Sequence, residues 1–112
     1  SYIFHMYSLQ MQIRLCLSSN LNLLKKGGLK MKVIVADDSR MIRNIIDKTI
    51  SSIGCEAIHA TNGREVLDIL GTRGDEVELI LLDWNMPFLN GIDVLKSMQN
   101  NGRYTNIPVV MV

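Results

Sequence analysis

Cysteine, proline and aromatic side chains are scarce in this chain, and its first 36 residues contain no acidic residue at all. The two cysteines, Cys16 and Cys55, lie far apart. That spacing writes neither a disulfide framework nor a zinc site, and it fits a reducing compartment. No stretch approaches the roughly 18 apolar residues of a membrane-crossing helix. The early apolar segment is broken by Gln10, Gln12, Arg14 and Ser18, and its basic residues fall mostly at the far end. A secretory signal has the opposite layout, with its basic residues first and an unbroken apolar run after them. The expected location is therefore the cytoplasm, with no membrane partner. Repeats and low-complexity tracts are missing too. With 47% hydrophobic and 21% charged residues in 112, the composition is that of one folded domain rather than a disordered chain.

The charge divides the chain in two. Residues 1–30 hold four basic side chains, Arg14, Lys25, Lys26 and Lys30, and no acid, whereas residues 31–112 hold eight basic and eleven acidic, a balance of −3. A mildly acidic body is not a nucleic-acid-binding surface, which clusters Lys and Arg on one face. Residues 1–24 are apolar and Ser/Asn/Gln-rich with poor periodicity, and residues 1–30 read as an extension outside the domain. Lys25-Lys26-Gly27-Gly28 just before Met31 is what an in-frame ribosome-binding site would encode. An amphipathic, surface-seeking extension is the other reading.

From Met31 the periods are legible. Lys32-Val33-Ile34-Val35-Ala36 is a short β-branched run closed by Asp37-Asp38-Ser39, the pattern of a strand buried on both faces. Ile42, Ile45, Ile46, Thr49, Ile50 and Ile53 then fall on one helical stripe, capped by Asp38 or Ser39 and ended by Gly54. Cys55 to Thr61 is a second strand. Asn62 caps a second helix, Glu65 is placed to reach back in a capping box, and Gly71 closes it. Val77 to Leu82 is the most apolar run of the body, broken only by Glu78, and ends at Asp83. A turn-rich loop from Trp84 to Gly91 leads to a helix carrying Ile92, Leu95 and Met98. Asn100-Asn101-Gly102 ends that helix, and Ile107 to Val112 opens a fourth strand. The order β-α-β-α-β-α-β predicts an α/β doubly wound parallel sheet.

In such a sheet, ligands bind beyond the carboxyl ends of the strands. The first strand ends in Asp37 and Asp38, the third in Asp83. If those strands are neighbours, three carboxylates converge, and their mutual repulsion raises at least one pKa unless a cation intervenes. Mg²⁺ suits such a set because it takes one or two carboxylates and keeps waters and phosphate oxygens. A carboxylate beside it can act as a nucleophile toward phosphorus. Taken singly, the same residues are also ordinary helix-capping and turn residues. His59 alternates along its strand as a surface or half-buried residue rather than a ligand. Trp84 is a rim aromatic. Met41, Met98 and Met111 fit core or strand positions, and Cys55 reads as a small buried hydrophobe.

Asp37-Asp38-Ser39 after a hydrophobic strand, with Asp83-Trp84-Asn85-Met86-Pro87 and Gly91 downstream, resembles the bacterial response-regulator receiver domain. Within that family it is most similar to single-domain chemotaxis regulators of the CheY type. The resemblance covers residues 31–112 and implies a flavodoxin-like fold. It makes Asp83 the phosphoacceptor, fed by a histidine kinase. Mg²⁺ would be held by the Asp38 and Asp83 carboxylates, by Asp37 through a water, and by the Asn85 carbonyl. Met86, Pro87 and Gly91 would shape the loop. The module would phosphorylate itself without turning over a separate substrate, and would act on a downstream protein such as a flagellar motor switch. Leu89 and Asn90 stand where the family more often has Met and Asp.

Receivers continue with a hydroxyl residue at the tip of the fourth strand, a fifth strand ending in Lys, and two further helices. Val112 precedes all of these, so 31–112 is expected to be the front two-thirds of a receiver, its fourth strand left as an aggregation-prone edge. Two alternatives remain: a Mg²⁺-dependent phosphatase of the haloacid-dehalogenase type, which places its nucleophile after the first strand, and an inactive gene fragment.

Overall fold

The computed structural model describes residues 30–112. The expectations for residues 1–29 lie outside the described residues. Four strands form one parallel sheet: β1 (Met31–Ala36), β2 (Cys55–Ala60), β3 (Val77–Leu82) and β4 (Val109–Met111), in the order β2-β1-β3-β4. Between them run α1 (Arg40–Ser51), α2 (Gly63–Arg73) and α3 (Gly91–Gln99). Single 3₁₀ turns at Gly74–Glu76 and Gly102–Tyr104 lead into β3 and toward β4.

Two apolar layers sandwich the sheet. On one face Ile46 and Ile50 of α1 pack on Met31, Val33, Val35, Cys55, Leu79 and Leu81. On the other, Val66 and Leu70 of α2 and Val94 and Met98 of α3 pack on Ile34, Ala36, Ile58, Ala60, Ile80 and Leu82. Alternate residues of β1 therefore serve opposite layers, and this is why the run carries no polar residue between Val33 and Ala36. Full burial of each Leu, Ile or Val side chain contributes roughly 1.5–3 kcal/mol. Cys55 is buried and free. The sheet and its layers are the flavodoxin-like architecture the sequence implied, with four strands in place.

Boundaries shift in several places. Gly71 lies inside α2, which runs on to Arg73 before Gly74 turns the chain. β2 ends at Ala60, one residue short of Thr61, and β4 is confined to Val109–Met111. Met41 is 68% exposed rather than in the core, because it sits in the first turn of α1 away from the Ile46/Ile50 stripe, and Ile92 also faces outward. Opposite β1, the register of β3 shifts between Lys32 and Val33, so Glu78 is the extra residue of a bulge. The chain reaches β2 through Gly54, whose φ of 86° is a left-handed conformation suited to glycine. No helix among the described residues is long and apolar enough to cross a membrane.

Candidate functional site

β1 and β3 are direct neighbours, with Ala36 opposite Leu82, so their carboxyl ends open on the same rim. Asp37 and Asp38 follow β1, and Asp83 follows β3. One carboxylate oxygen from each lies within 4.8 Å of the others. Asp37 is buried, Asp83 half-buried and Asp38 exposed, so the cluster opens to solvent on the Asp38 side.

The main chain holds these residues tightly. The Asp37 N–H donates to the Ala60 carbonyl at 3.1 Å, and the Asp83 N–H to the Ala36 carbonyl at 3.0 Å, extending the sheet ladders by one residue. Asp37 Oδ1 accepts from the Ser39 N–H at 2.8 Å, while Ser39 Oγ caps α1 by accepting from the Ile42 N–H. The Asp37 carbonyl accepts 2.8 Å from an Arg43 guanidinium nitrogen. Arg43 is a buried cation that sequence reasoning passed over.

Burial pushes the Asp37 carboxyl above its ordinary pKa. The Asp83 and Asp38 charges push the same way, against the Ser39 N–H, which favours the anion. Burial likewise raises Asp83, opposed by the Asn85 and Trp84 N–H groups, and Asp38 adds to the rise. Both shifts are led by burial of the charged form, with the neighbouring acids adding to it. Three convergent hard oxygen donors, one of them open to solvent, fit a small divalent ion such as Mg²⁺ that keeps part of its water shell.

The loop after Asp83 is built around it. Asn85 is exposed, and its N–H points at Asp83 Oδ1 at 3.5 Å. Met86 turns into the core, Pro87 is exposed, and Trp84 stands 48% exposed beside the acid. Phe88 takes a φ of 68° and is 88% exposed, at the centre of a three-residue turn closed by the Leu89 N–H on the Pro87 carbonyl at 2.8 Å. Gly91 donates to the Trp84 carbonyl at 3.0 Å, and a Cβ there would collide with the Asp83 carbonyl oxygen and the Met111 methyl. Only glycine lets α3 start so close to the end of β3. The Gly63 N–H ties the other end of the loop to α2 through the Leu89 carbonyl at 3.1 Å.

His59 is half-buried, as expected, but its ring links Arg43 of α1 to Asp47 of the same helix. Its role lies beside the carboxylates rather than among them.

Comparison with known proteins agrees with this geometry. Residues 33–112 match the family model of the response regulator receiver domain. A chemotaxis protein CheY homolog of Campylobacter jejuni is 36% identical over 83 residues, covering 73% of this chain and 63% of that protein. Chemotaxis protein CheY1 of Helicobacter pylori is 37% identical over 83 residues, covering 73% of this chain and 66% of that one. The chain thus spans about 63% of the length of the first of these relatives. Among solved structures, the chemotaxis response regulator CheY4 of Vibrio cholerae superposes with a TM-score of 0.68 at 30% identity, over 74% of this chain and 68% of that chain. The N-terminal domain of a response regulator receiver protein from Methanoculleus marisnigri gives 0.66 at 30% identity, over 71% and 63%.

Proposed function

Because the chain belongs to the response regulator receiver domain family, we propose that it is a phosphorylation switch of a two-component system whose acceptor is Asp83. The observation that carries this reading is the meeting of Asp37, Asp38 and Asp83 at the ends of two neighbouring strands. A carboxylate oxygen of Asp83 attacks the phosphorus of a phosphohistidine on a kinase. The P–N bond breaks, the imidazole leaves with the electron pair, and a mixed carboxylic–phosphoric anhydride forms on Asp83. Asp38 and Asp83 would hold Mg²⁺ through their carboxylates, Asp37 through a water and Asn85 through its main-chain carbonyl. The ion would neutralise charge on the phosphoryl oxygens during transfer. Met86, Pro87 and Gly91 keep the loop folded beside the acceptor.

The likeness to chemotaxis proteins supports a chemotaxis-type role. In that role a cytoplasmic histidine kinase is the donor, and a downstream protein such as the flagellar motor switch is the receiver of the signal. The module signals through its own modification and turns over no separate substrate.

Intact mass after incubation with acetyl phosphate tests the assignment. The expected result is a Mg²⁺-dependent, base-labile gain of one phosphoryl group that is lost in Asp83→Asn. An adduct that persists in that variant would overturn the assignment of Asp83.

A further inference from the structure

Arg43 is buried, yet among the described residues it forms no direct ion pair. Its two hydrogen-bond partners are neutral acceptors: the Asp37 carbonyl at 2.8 Å, and His59 Nδ1, which accepts from the Arg43 Nε–H at 3.2 Å. The other ring nitrogen, His59 Nε2, lies 2.8 Å from Asp47 Oδ2. A guanidinium can only donate, so His59 Nδ1 must present its lone pair to Arg43. The ring proton then sits on Nε2 and is directed to Asp47. The His59 hydrogen bond in turn holds the Asp47 carboxyl below its ordinary pKa. The chain Asp47–His59–Arg43–Asp37 thus relays from the half-exposed surface of α1 and β2 to the end of β1. Burying a guanidinium with only neutral direct partners is costly, which calls for a return elsewhere.

That return lies at Asp37. The residue is held at its N–H by Ala60, at Oδ1 by Ser39 and at its carbonyl by Arg43. The carbonyl belongs to the peptide that joins Asp37 to Asp38, so its orientation sets where both carboxylates lie relative to Asp83. Of the three tethers only the one from Arg43 comes from a side chain of another element. We propose that Arg43, braced by His59 and Asp47, is a positioning residue that fixes the Asp37–Asp38 peptide and so preorganises the carboxylate cluster for a divalent cation. The inference rests on the reading of that cluster as a cation site and extends it to three residues that do not touch the ion.

Two measurements on the full chain test it. The first is the His59 tautomer by ¹⁵N NMR near neutral pH. A neutral ring protonated on Nε2 is expected, and a ring protonated on Nδ1, or on both nitrogens, overturns the brace whatever the metal does. The second is Mg²⁺ affinity, read from Trp84 fluorescence, in wild type, Arg43→Met, His59→Phe and His59→Asn. Asparagine can present its amide oxygen where Nδ1 stands, whereas phenylalanine keeps a ring and loses the acceptor. Arg43→Met and His59→Phe should bind Mg²⁺ roughly tenfold more weakly, and His59→Asn should restore most of the affinity. Equal affinity in His59→Phe and wild type overturns the proposal even if Arg43→Met fails to fold. A stability role alone would not separate phenylalanine from asparagine in metal affinity. Wild type that binds no Mg²⁺, judged against an Asp38→Asn control, would instead remove the cation-site reading, and the tautomer measurement would still decide the brace.

Discussion

Asp83 is uncomfortable in the folded chain whenever no cation is present. Its carboxyl and that of Asp37 are raised first by burial and further by neighbouring acids. A raised folded-state pKa means that the stabilising contribution is complete below the unfolded carboxylate value and is lost as pH rises through the folded one. At neutral pH both groups therefore destabilise the metal-free fold. Asp83→Asn should raise the metal-free melting temperature by a few degrees at pH 7, and Mg²⁺ should shrink the difference by stabilising wild type alone; a variant that melts lower in both conditions would contradict this. Asp47 has the opposite sign. Lowered by the His59 hydrogen bond, it contributes stability above the ordinary carboxylate value, and that contribution fades as pH falls through its folded one. The three acids of the site were legible because Asp37-Asp38 and Asp83 close two apolar runs, which marks strand ends without any knowledge of side-chain positions. Arg43 was not. Its spacing to Asp47 is that of an ordinary i,i+4 surface pair, and nothing in the pattern shows that His59, from strand β2, enters between them. Phe88 was equally hidden, since a left-handed φ at a bulky residue has no sequence signature.

At the scale of elements, the helix starts are set by three side-chain caps. Ser39 accepts from the Ile42 N–H, Asn62 from the Glu65 N–H at 2.9 Å, and Asn90 from the Asp93 N–H at 2.9 Å. Asn62→Ala and Asn90→Ala should each cost about 1 kcal/mol in urea unfolding, and a cost near zero for both would deny the caps a role. Gly91→Ala should cost more, because its Cβ meets backbone that carries Asp83. Glu65 does reach back as a capping box suggests, but to the N–H and hydroxyl of Thr61 rather than to the N–H of the capping Asn62. Helix ends were harder to read than helix starts. A cap is a local hydrogen bond written in one residue type, whereas α2 runs past Gly71 because Leu70 is fully buried and its carbonyl accepts from the Gly74 N–H, which carries the last turn through Gly71. Met41 shows the same limit from the other side, for a hydrophobic residue one step off the stripe faces water.

For the molecule as a whole, alternation of strand and helix specifies a parallel sheet but not the order of its strands. The adjacency of β1 and β3 was required only by the demand that three carboxylates meet, and the observed pairing satisfies it. β4 pairs with β3 through the Ile80 N–H on the Pro108 carbonyl and the Val112 N–H on the Leu82 carbonyl, so in a parallel ladder the N–H groups of Val109 and Met111 face the other way. Among the described residues that outer side of β4 carries no partner strand. Sedimentation velocity should show concentration-dependent self-association that Val109→Pro reduces, because proline removes an outward donor and leaves the inner ladder intact; association unchanged by the substitution would assign it to another surface. The order β2-β1-β3-β4 also has a consequence in time. Of the four described strands β1 leaves the ribosome first, yet one of its two edges must wait for β3, 46 residues later from Ala36 to Leu82. At about 5–20 residues per second, that wait lasts roughly two to nine seconds. Through that interval the Val33–Ala36 run, wholly apolar and destined for the centre, stands open along one side, so the nascent chain is most exposed to mispairing before the acidic rim exists.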